Sequence, residues 1–199
     1  MLSRPKARGF TIVELLVGMG LMAALMLIAV PSFSTWMQNT QIRTAADAIL
    51  NGVQLARAEA VRRNAPVIFQ MTTTLDSGCA LSTSGTNWVV SLDAAAGKCD
   101  VAPSADLVVP VSPRTIQKRA SGDGSKNAVI LASQSNLIFN GLGRPTTAGM
   151  SVTVTNTTGG SCAPSGPMHC MQVAVSSMGQ VRLCDPQAAS AASGNPQGC

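Results

Sequence analysis

The chain has 199 residues, a length that holds one domain plus an anchoring segment. Its apolar share of 46% against 12% charged residues excludes intrinsic disorder, which goes with low hydrophobicity and high charge. The net charge of +5 is a mild excess, because three of the fourteen cations lie in the first nine residues, and it does not by itself indicate an anionic partner.

An apolar run occupies residues 10–30, directly behind those three cations, and contains a single acid, Glu14. The run is long enough to cross a bilayer as a helix, which needs about 20 residues. The alternative is a secretory signal peptide, whose apolar region is shorter, roughly 7–15 residues, and ends at a small-residue cleavage site. Because the run continues past Ala23-Ala24, we favour a retained anchor. The cations predict a cytoplasmic N-terminus, with the rest of the chain outside the inner membrane.

The helical pattern continues beyond the apolar run, so we expect one helix over roughly residues 11–63, kinked at Pro31. Residues at steps of three and four predict one apolar face in its second half: Ile42, Ala46, Ile49, Val53, Ala56 and Ala60. The segment Asn64-Ala65-Pro66 ends the helix, since a residue before proline resists the helical region. This face requires a partner, which the remainder of the chain supplies.

The remainder is predicted to be β, with short segments rich in Val and Ile and bounded by Gly, Ser, Asn and Pro. The candidate strands are 67–73, 86–92, 107–111, 127–133, 136–140, 150–156, 171–177 and 180–184. Pro110 makes its strand an edge strand, and the segment around Gly179 is typical of a hairpin turn. The pattern therefore indicates an α+β fold, a long helix packed on an antiparallel sheet.

Six cysteines follow the anchor: Cys79, Cys99, Cys162, Cys170, Cys184 and Cys199. An even number in an exported domain indicates disulfides, although 15 pairings are possible. Proximity along the chain suggests Cys79–Cys99, Cys162–Cys170 and Cys184–Cys199. A metal site is disfavoured, because there is no C-x-x-C pair and the one histidine, His169, is expected in a loop.

Signatures of catalysis or of a cofactor site are absent from the sequence. No nucleophile motif accompanies His169, no phosphate-cradling glycine motif occurs, and the carboxylates beyond the anchor are scattered. The sequence therefore favours a structural or binding role, without catalytic residues, cofactor or metal.

The opening segment resembles the class III signal of type IV prepilins and type II secretion pseudopilins. A short basic leader ends in Gly9 and is followed by Phe10-Thr11-Ile12-Val13-Glu14, with the glutamate fifth from Phe10 and an apolar helix behind it. The resemblance implies that prepilin peptidase cuts after Gly9 and methylates Phe10. It also implies that Glu14 meets the new amine of a neighbouring subunit, so that it sets the register of assembly. Pro31 lies where many pilins have a kink-forming proline.

A second resemblance, to the GspH/FimT-type (FimU-like) minor pilins and pseudopilins, is carried by "AILNGVQLARAEAVRRNAPVIF" at 48–69, "LIFNGLGRP" at 137–145 and "VSSMGQVRLC" at 175–184. We identify no matching family segment for residues 70–130 or for the tail. The resemblance implies the type IV pilin fold, stapled here by disulfides. The expected segments are a cleaved leader (1–9), a transmembrane helix (10–31), its amphipathic continuation (32–66), a β-sheet domain (67–185) and an irregular tail (186–199).

The implied function is that of a minor pilin that joins a type IV pilus and helps to prime or cap its assembly, in adhesion, twitching motility or DNA uptake. The implied partners are other major and minor pilins, through the N-terminal helix, together with prepilin peptidase and the inner membrane before assembly. A GspH-type pseudopilin of type II secretion is the alternative. The expected location is the inner membrane, with the C-terminal domain in the periplasm, and then the pilus or pseudopilus.

Some FimT-like relatives bind DNA through a C-terminal Gly-Arg-x-Arg element, which gives a third alternative. The matching positions here read Gly179-Gln180-Val181-Arg182, so that one of the two arginines is replaced. Because each phosphate contact depends on a cation, this substitution predicts weak DNA binding at best. Other cations would have to complete the patch: Arg144, Arg114, Lys118, Arg119 and Lys126.

Overall fold

The computed structural model describes residues 9–104, 112–120, 123–188, 195 and 197–199. The predicted leader up to residue 8, the predicted strand 107–111 with its Pro110, and part of the predicted tail 186–199 lie outside these residues. Within them the chain forms one long helix followed by eight strands: α1 (Ile12–Arg63), β1 (Val67–Thr72), β2 (Asn87–Ser91), β3 (Thr115–Arg119), β4 (Val129–Ala132), β5 (Asn136–Phe139), β6 (Met150–Thr155), β7 (Met171–Val175) and β8 (Val181–Cys184).

Helix α1 is capped at both ends by side chains suited to those positions. Thr11 is the N-cap: its hydroxyl accepts a hydrogen bond from the Glu14 backbone N–H at 3.2 Å, and the Glu14 carboxylate accepts one from the Thr11 N–H at 3.0 Å. This reciprocal pair is a capping box. At the other end Asn64 takes the left-handed conformation, with φ 49°, and Pro66 follows, so the helix ends where the sequence predicts.

The helix is bent. Its segments Ile12–Leu27 and Ser32–Arg63 meet at 41°, and Pro31, the predicted kink, lies in the break between them. In the part of the chain that the structure describes, no single straight helix has the length and apolar composition of a membrane span, whereas the two bent segments together meet that criterion.

The strands form two antiparallel four-stranded sheets rather than the single sheet that we expected. The first has the order β3-β2-β1-β5 and the second the order β4-β6-β7-β8. The chain passes between the two sheets three times: from β3 to β4, from β4 to β5 through residues 133–135, and from β5 to β6. The apolar pattern of a short strand predicts that the strand exists but does not identify its neighbour, so the division was not visible in the sequence.

Strand β3 was missed because its sequence, "TIQKR", has a single apolar residue and two cations. It is an edge strand, paired antiparallel with β2 from Trp88↔Arg119 to Ser91↔Thr115. One such neighbour is enough to make it a strand, although its own side chains show no apolar alternation.

The hydrophobic core lies between α1 and the inner faces of the two sheets. All six residues of the predicted apolar face of α1 are at most 1% exposed, which confirms that prediction. They pack in one cluster with residues of both sheets, including Phe69 and Trp88 from the first and Val152 and Val173 from the second. The second half of α1 therefore joins the two sheets into one unit.

Three disulfides are formed, and they pair the cysteines that are neighbours along the chain, as the sequence suggested: Cys79–Cys99, Cys162–Cys170 and Cys184–Cys199. The first closes a loop over the outer face of β2, where it packs with Val89 and Ala95. Gln70 of β1 holds that loop in place, because its side-chain Nε2 donates a hydrogen bond to Asp93 O and its Oε1 accepts one from the Ala95 N–H.

Candidate assembly site and distal surface

The first half of α1 has no partner among the described residues of its own subunit. Its large apolar side chains, from Ile12 to Leu27, are 57–80% exposed, and Phe10 just before it is 90% exposed. A continuous apolar surface of this extent indicates contact with lipid or with another protein. The segment thus contrasts with the second half of the same helix, whose apolar face is fully buried.

Glu14 lies in the first turn of this exposed segment, where the capping box fixes its carboxylate. Both Thr11 donors, the backbone N–H and the hydroxyl, bond to the same oxygen, Oε2, at 3.0 Å each. The other oxygen, Oε1, has no hydrogen-bond partner in the described part of the chain and is open to a donor from outside. The sequence pattern Thr-x-x-Glu was the signal for this cap, and our prediction used only its glutamate.

A shallow groove of about 640 Å³ runs along the same helix, beside Glu14. Phe10, Gly18 and Met22 are among the residues that line it. A Cβ built on Gly18 would meet nothing within 4 Å, so this stretch can be approached closely by another helix. Phe10 and Glu14, two of the predicted processing and assembly residues, therefore border one groove.

Two of the predicted DNA contacts, Arg144 and Gln180, lie on segments that meet near the C-terminal end of α1. The hairpin turn between β7 and β8 is as predicted, with Gly179 at φ +83° and its N–H donating to Ser176 O at 2.9 Å. Gly179 lies so close to the carbonyl of Gly143 that no Cβ fits there. The turn carrying Gln180 therefore packs against the β5–β6 loop carrying Arg144.

The arginines of this region differ in how they are held. Arg57 of α1 donates from Nε to Gly143 O at 3.2 Å, which ties the β5–β6 loop to the helix. Arg182 of β8 donates from Nη2 to Cys199 O at 2.9 Å. The side chain of Arg144 is exposed and has no ion pair among the described residues.

The other cations expected in the patch lie elsewhere. Arg114, Lys118 and Arg119 belong to β3 or the residue before it, at the edge of the first sheet farthest from β5. Each is engaged locally: Arg114 in a bidentate pair with Asp93 (2.7 and 2.8 Å), Lys118 with Cys99 O at 2.8 Å, and Arg119 with Asp123 O at 2.9 Å. The expected basic patch is therefore not assembled as one surface.

His169 is an exposed loop residue, and its backbone N–H donates to Asn39 Oδ1 at 2.7 Å. It shares a cleft of about 560 Å³ with Trp36, Arg43 and Asp185. In the part of the chain that the structure describes, no group of three potential metal ligands occurs. The neighbouring Cys170 is oxidised in a disulfide, so it offers no thiolate to a metal or to a substrate.

Comparison with known families identifies two matching models. The family described as "Type II transport protein GspH" matches residues 45–198, and the "Prokaryotic N-terminal methylation motif" matches residues 4–30. No curated protein matches the chain.

Similar solved structures include two crystal forms of the type IV minor pilin FimU of Pseudomonas aeruginosa strain PAO1. They are 14% and 16% identical, with TM-scores of 0.49 and 0.47, and cover 73% and 77% of this chain and 98% of theirs. The minor pseudopilin EpsH of the type 2 secretion system of Vibrio cholerae is 11% identical, with a TM-score of 0.45, over 74% of this chain and 99% of that one. Because the first family model covers well over half of the sequence, the chain belongs to the GspH family, whose domain here follows an N-terminal methylation motif.

Proposed function

We propose that this chain is a minor pilin, cut by prepilin peptidase between Gly9 and Phe10, methylated on Phe10 and built into a type IV pilus, where it helps to prime or cap assembly. As a member of the GspH family with the methylation motif, it is a minor pilin or pseudopilin, a structural subunit. The observation that carries the finer proposal is the exposed first half of α1, with a carboxylate oxygen of Glu14 open at its start.

Before assembly, the exposed segment would be anchored in the inner membrane. A charged residue at mid-membrane costs about 2.5–3.5 kcal/mol. Glu14 reduces that cost in two ways, because it lies at the N-terminal end of the segment and its Oε2 accepts two hydrogen bonds from Thr11. The positive end of the helix dipole stabilises the same charge. The cations of the leader and the three disulfides of the domain support a cytoplasmic N-terminus and a periplasmic domain.

During assembly, the amine freed at Phe10 of a neighbouring subunit would donate to Glu14 Oε1. Cleavage leaves the capping box intact, because the N–H of Thr11 belongs to the peptide bond that follows Phe10. The carboxylate is therefore already oriented when the amine appears. A pair of this kind fixes the axial register, since either charge alone would be buried without a partner among apolar helices.

A type II secretion pseudopilus is the second candidate, favoured by the description of the matching family. The geometry of α1 serves either filament equally. Recovery of the chain from surface pili in a strain that lacks the secretion channel would support a pilus, and its loss there a pseudopilus.

The test uses three variants that separate the cap from the charge. Glu14→Gln keeps the capping box, because glutamine is accepted at that position, but it cannot form the ion pair. Thr11→Ala removes the cap and keeps the charge, at a cost of about 1 kcal/mol. Breaking a buried ion pair costs about 3–5 kcal/mol, so Glu14→Gln and Glu14→Ala should lower the amount of chain in purified filaments more than about a hundredfold.

We expect the Thr11→Ala subunit to be incorporated at a reduced but easily measured level, and all three variants to remain in the membrane. Quantitative immunoblots of filament and membrane fractions measure both. Normal incorporation of Glu14→Gln would show that the charge is unnecessary, and the register mechanism would be abandoned.

A further inference from the structure

Three large apolar side chains are exposed near the C-terminal end of α1. Leu142 in the β5–β6 loop is 77% exposed, Met178 in the β7–β8 turn 60%, and Val61 on the helix 52%. Each belongs to a different element, so together they are not explained as one face of an amphipathic helix. Exposed apolar side chains that converge from separate elements indicate an interaction surface.

The three elements are in contact with one another. A Cβ built on Gly143 would lie 3.0 Å from Val61 Cγ2, so the loop lies against the helix. The Gly179 backbone in turn lies against the Gly143 carbonyl, which brings the hairpin turn against the same loop. Val181 borders a shallow depression with Arg57 and Val61. We call this region the distal surface: its apolar members are Val61, Leu142, Met178 and Val181.

Arginines lie on the same elements as the apolar members of the distal surface. They are Arg57, Arg62 and Arg63 on α1, Arg144 on the loop and Arg182 on β8. The acid in this part of α1, Glu59, bonds to both Arg62 (2.7 Å) and Arg63 (2.7 Å), and the hydrogen bond from Arg62 lowers the pKa of Glu59. Glu59 therefore offsets the charge of one of its two arginine partners, while Arg57 and Arg144 are exposed and have no ion pair among the described residues.

We propose that the distal surface docks a neighbouring filament subunit whose contact face has an apolar centre ringed by Asp or Glu side chains. This inference rests on the proposed function, in which neighbouring subunits of a filament lie against one another. An apolar centre with a polar, charged rim is the usual anatomy of a protein–protein interface, and arginine and methionine are enriched there. Arg144, which has no ion pair among the described residues, is the cation best placed to meet a carboxylate of the partner.

Two other occupants fit less well. Duplex DNA is bound through phosphates, which gain nothing from Leu142 and Met178, and Arg57 and Arg182 already donate to main-chain oxygens of Gly143 and Cys199. No aromatic ring lies among the members of the surface to stack on a base. A second copy of the chain would bring the same arginines against one another in a two-fold pairing.

The test uses the full-length chain in its own filament-bearing host, with the photo-cross-linking residue p-benzoylphenylalanine in place of Met178. Irradiation should join it to one protein, identified by mass spectrometry, at a peptide that carries Asp or Glu next to apolar residues. Leu142→Ser removes apolar surface area without adding charge, and Arg144→Glu reverses the charge at residue 144. Each should lower the yield of that cross-link about tenfold or more.

The matched control is Leu131→Ser on β4, because Leu131 is also highly exposed, at 65%, but lies outside the distal surface. It should leave the yield unchanged, and all variants should unfold at the temperature of the parent protein. An unchanged yield in both Leu142→Ser and Arg144→Glu, a contact peptide without carboxylates, or a cross-link only to a second copy would overturn the proposal.

Two parallel measurements complete the design. A gel-shift titration with duplex DNA that is retained in Leu142→Ser and abolished in Arg144→Glu would assign the surface to DNA instead. The N-terminus of the chain and its presence in filaments are measured in the same cultures. A chain that is processed and incorporated normally but gives no acidic cross-link refutes only the docking surface, whereas an unprocessed chain absent from filaments refutes the proposed function.

Discussion

Gly52 of α1 lies against Phe69 and Trp88 of the first sheet, so the variant Gly52→Ala separates the effect of packing on stability from the effect of helix propensity. In an ordinary helix interior this change stabilises by about 1 kcal/mol. Here a Cβ would lie 2.9 Å from Phe69 Cε2 and 3.1 Å from Trp88 Cε2, against the usual 3.5–4.0 Å between carbon atoms. Each ring would have to move by roughly 0.5–1 Å.

Neither ring can move freely. Phe69 and Trp88 are 0% and 3% exposed and pack against each other with ring centroids 5.9 Å apart. Overpacking of a well-filled core costs about 1–3 kcal/mol, so we take about 2 kcal/mol for the strain. Subtracting the propensity gain leaves a net destabilisation of about 1 kcal/mol, which lowers Tm by roughly 2–4 °C for a domain of this size.

The assay is thermal unfolding of the purified full-length protein in detergent, followed by near-ultraviolet circular dichroism. Ala58→Gly, at an exposed position of the same helix, calibrates propensity alone and should cost about 1 kcal/mol. A rise in Tm for Gly52→Ala, with the expected fall for Ala58→Gly, would refute the argument that the rings exclude a side chain at residue 52.

Two further predictions concern the links that hold the loops. Asp93→Asn breaks the bidentate pair with Arg114, whose hydrogen bond lowers the pKa of Asp93, and should cost about 1 kcal/mol at neutral pH because the pair is partly exposed. The ionised Asp93 carboxylate contributes its full stabilisation above the unfolded pKa of about 4, and this contribution is lost as the pH falls through the lower folded pKa. The Tm curves of the parent and the variant should therefore converge below pH 4. A gap in Tm that stays constant with pH would contradict this. Replacing both Cys184 and Cys199 by serine opens a 15-residue loop and should cost about 3 kcal/mol, while an unchanged Tm would show that this staple does not constrain the unfolded chain.

The helix and the sites that depend on local sequence were predictable. The spacing of apolar residues predicted the buried face of α1, and Asn64 before a nearby proline predicted its end. A glycine between two short strands predicted the hairpin turn at Gly179. These features are set within a few residues of one another, where periodicity and backbone preference are strong.

Features that depend on distant contacts were not predictable. The division into two sheets depends on which strands pair, and β3 is a strand because β2 supplies its hydrogen bonds. The contact of the β5–β6 loop with the hairpin turn joins residues that are 36 positions apart in the sequence, Gly143 and Gly179. Without it, Leu142, Met178 and Arg144 are three unrelated surface residues in the sequence.

The central claim is that the chain becomes a filament subunit only after cleavage between Gly9 and Phe10 and methylation of the new N-terminus. Mass spectrometry of the chain recovered from sheared, purified filaments tests this most directly. The account predicts a mature chain that begins at Phe10 with a methyl group on its amine and lacks residues 1–9. Recovery of chains that still begin at Met1, or a chain found in the membrane and never in filaments, would contradict it.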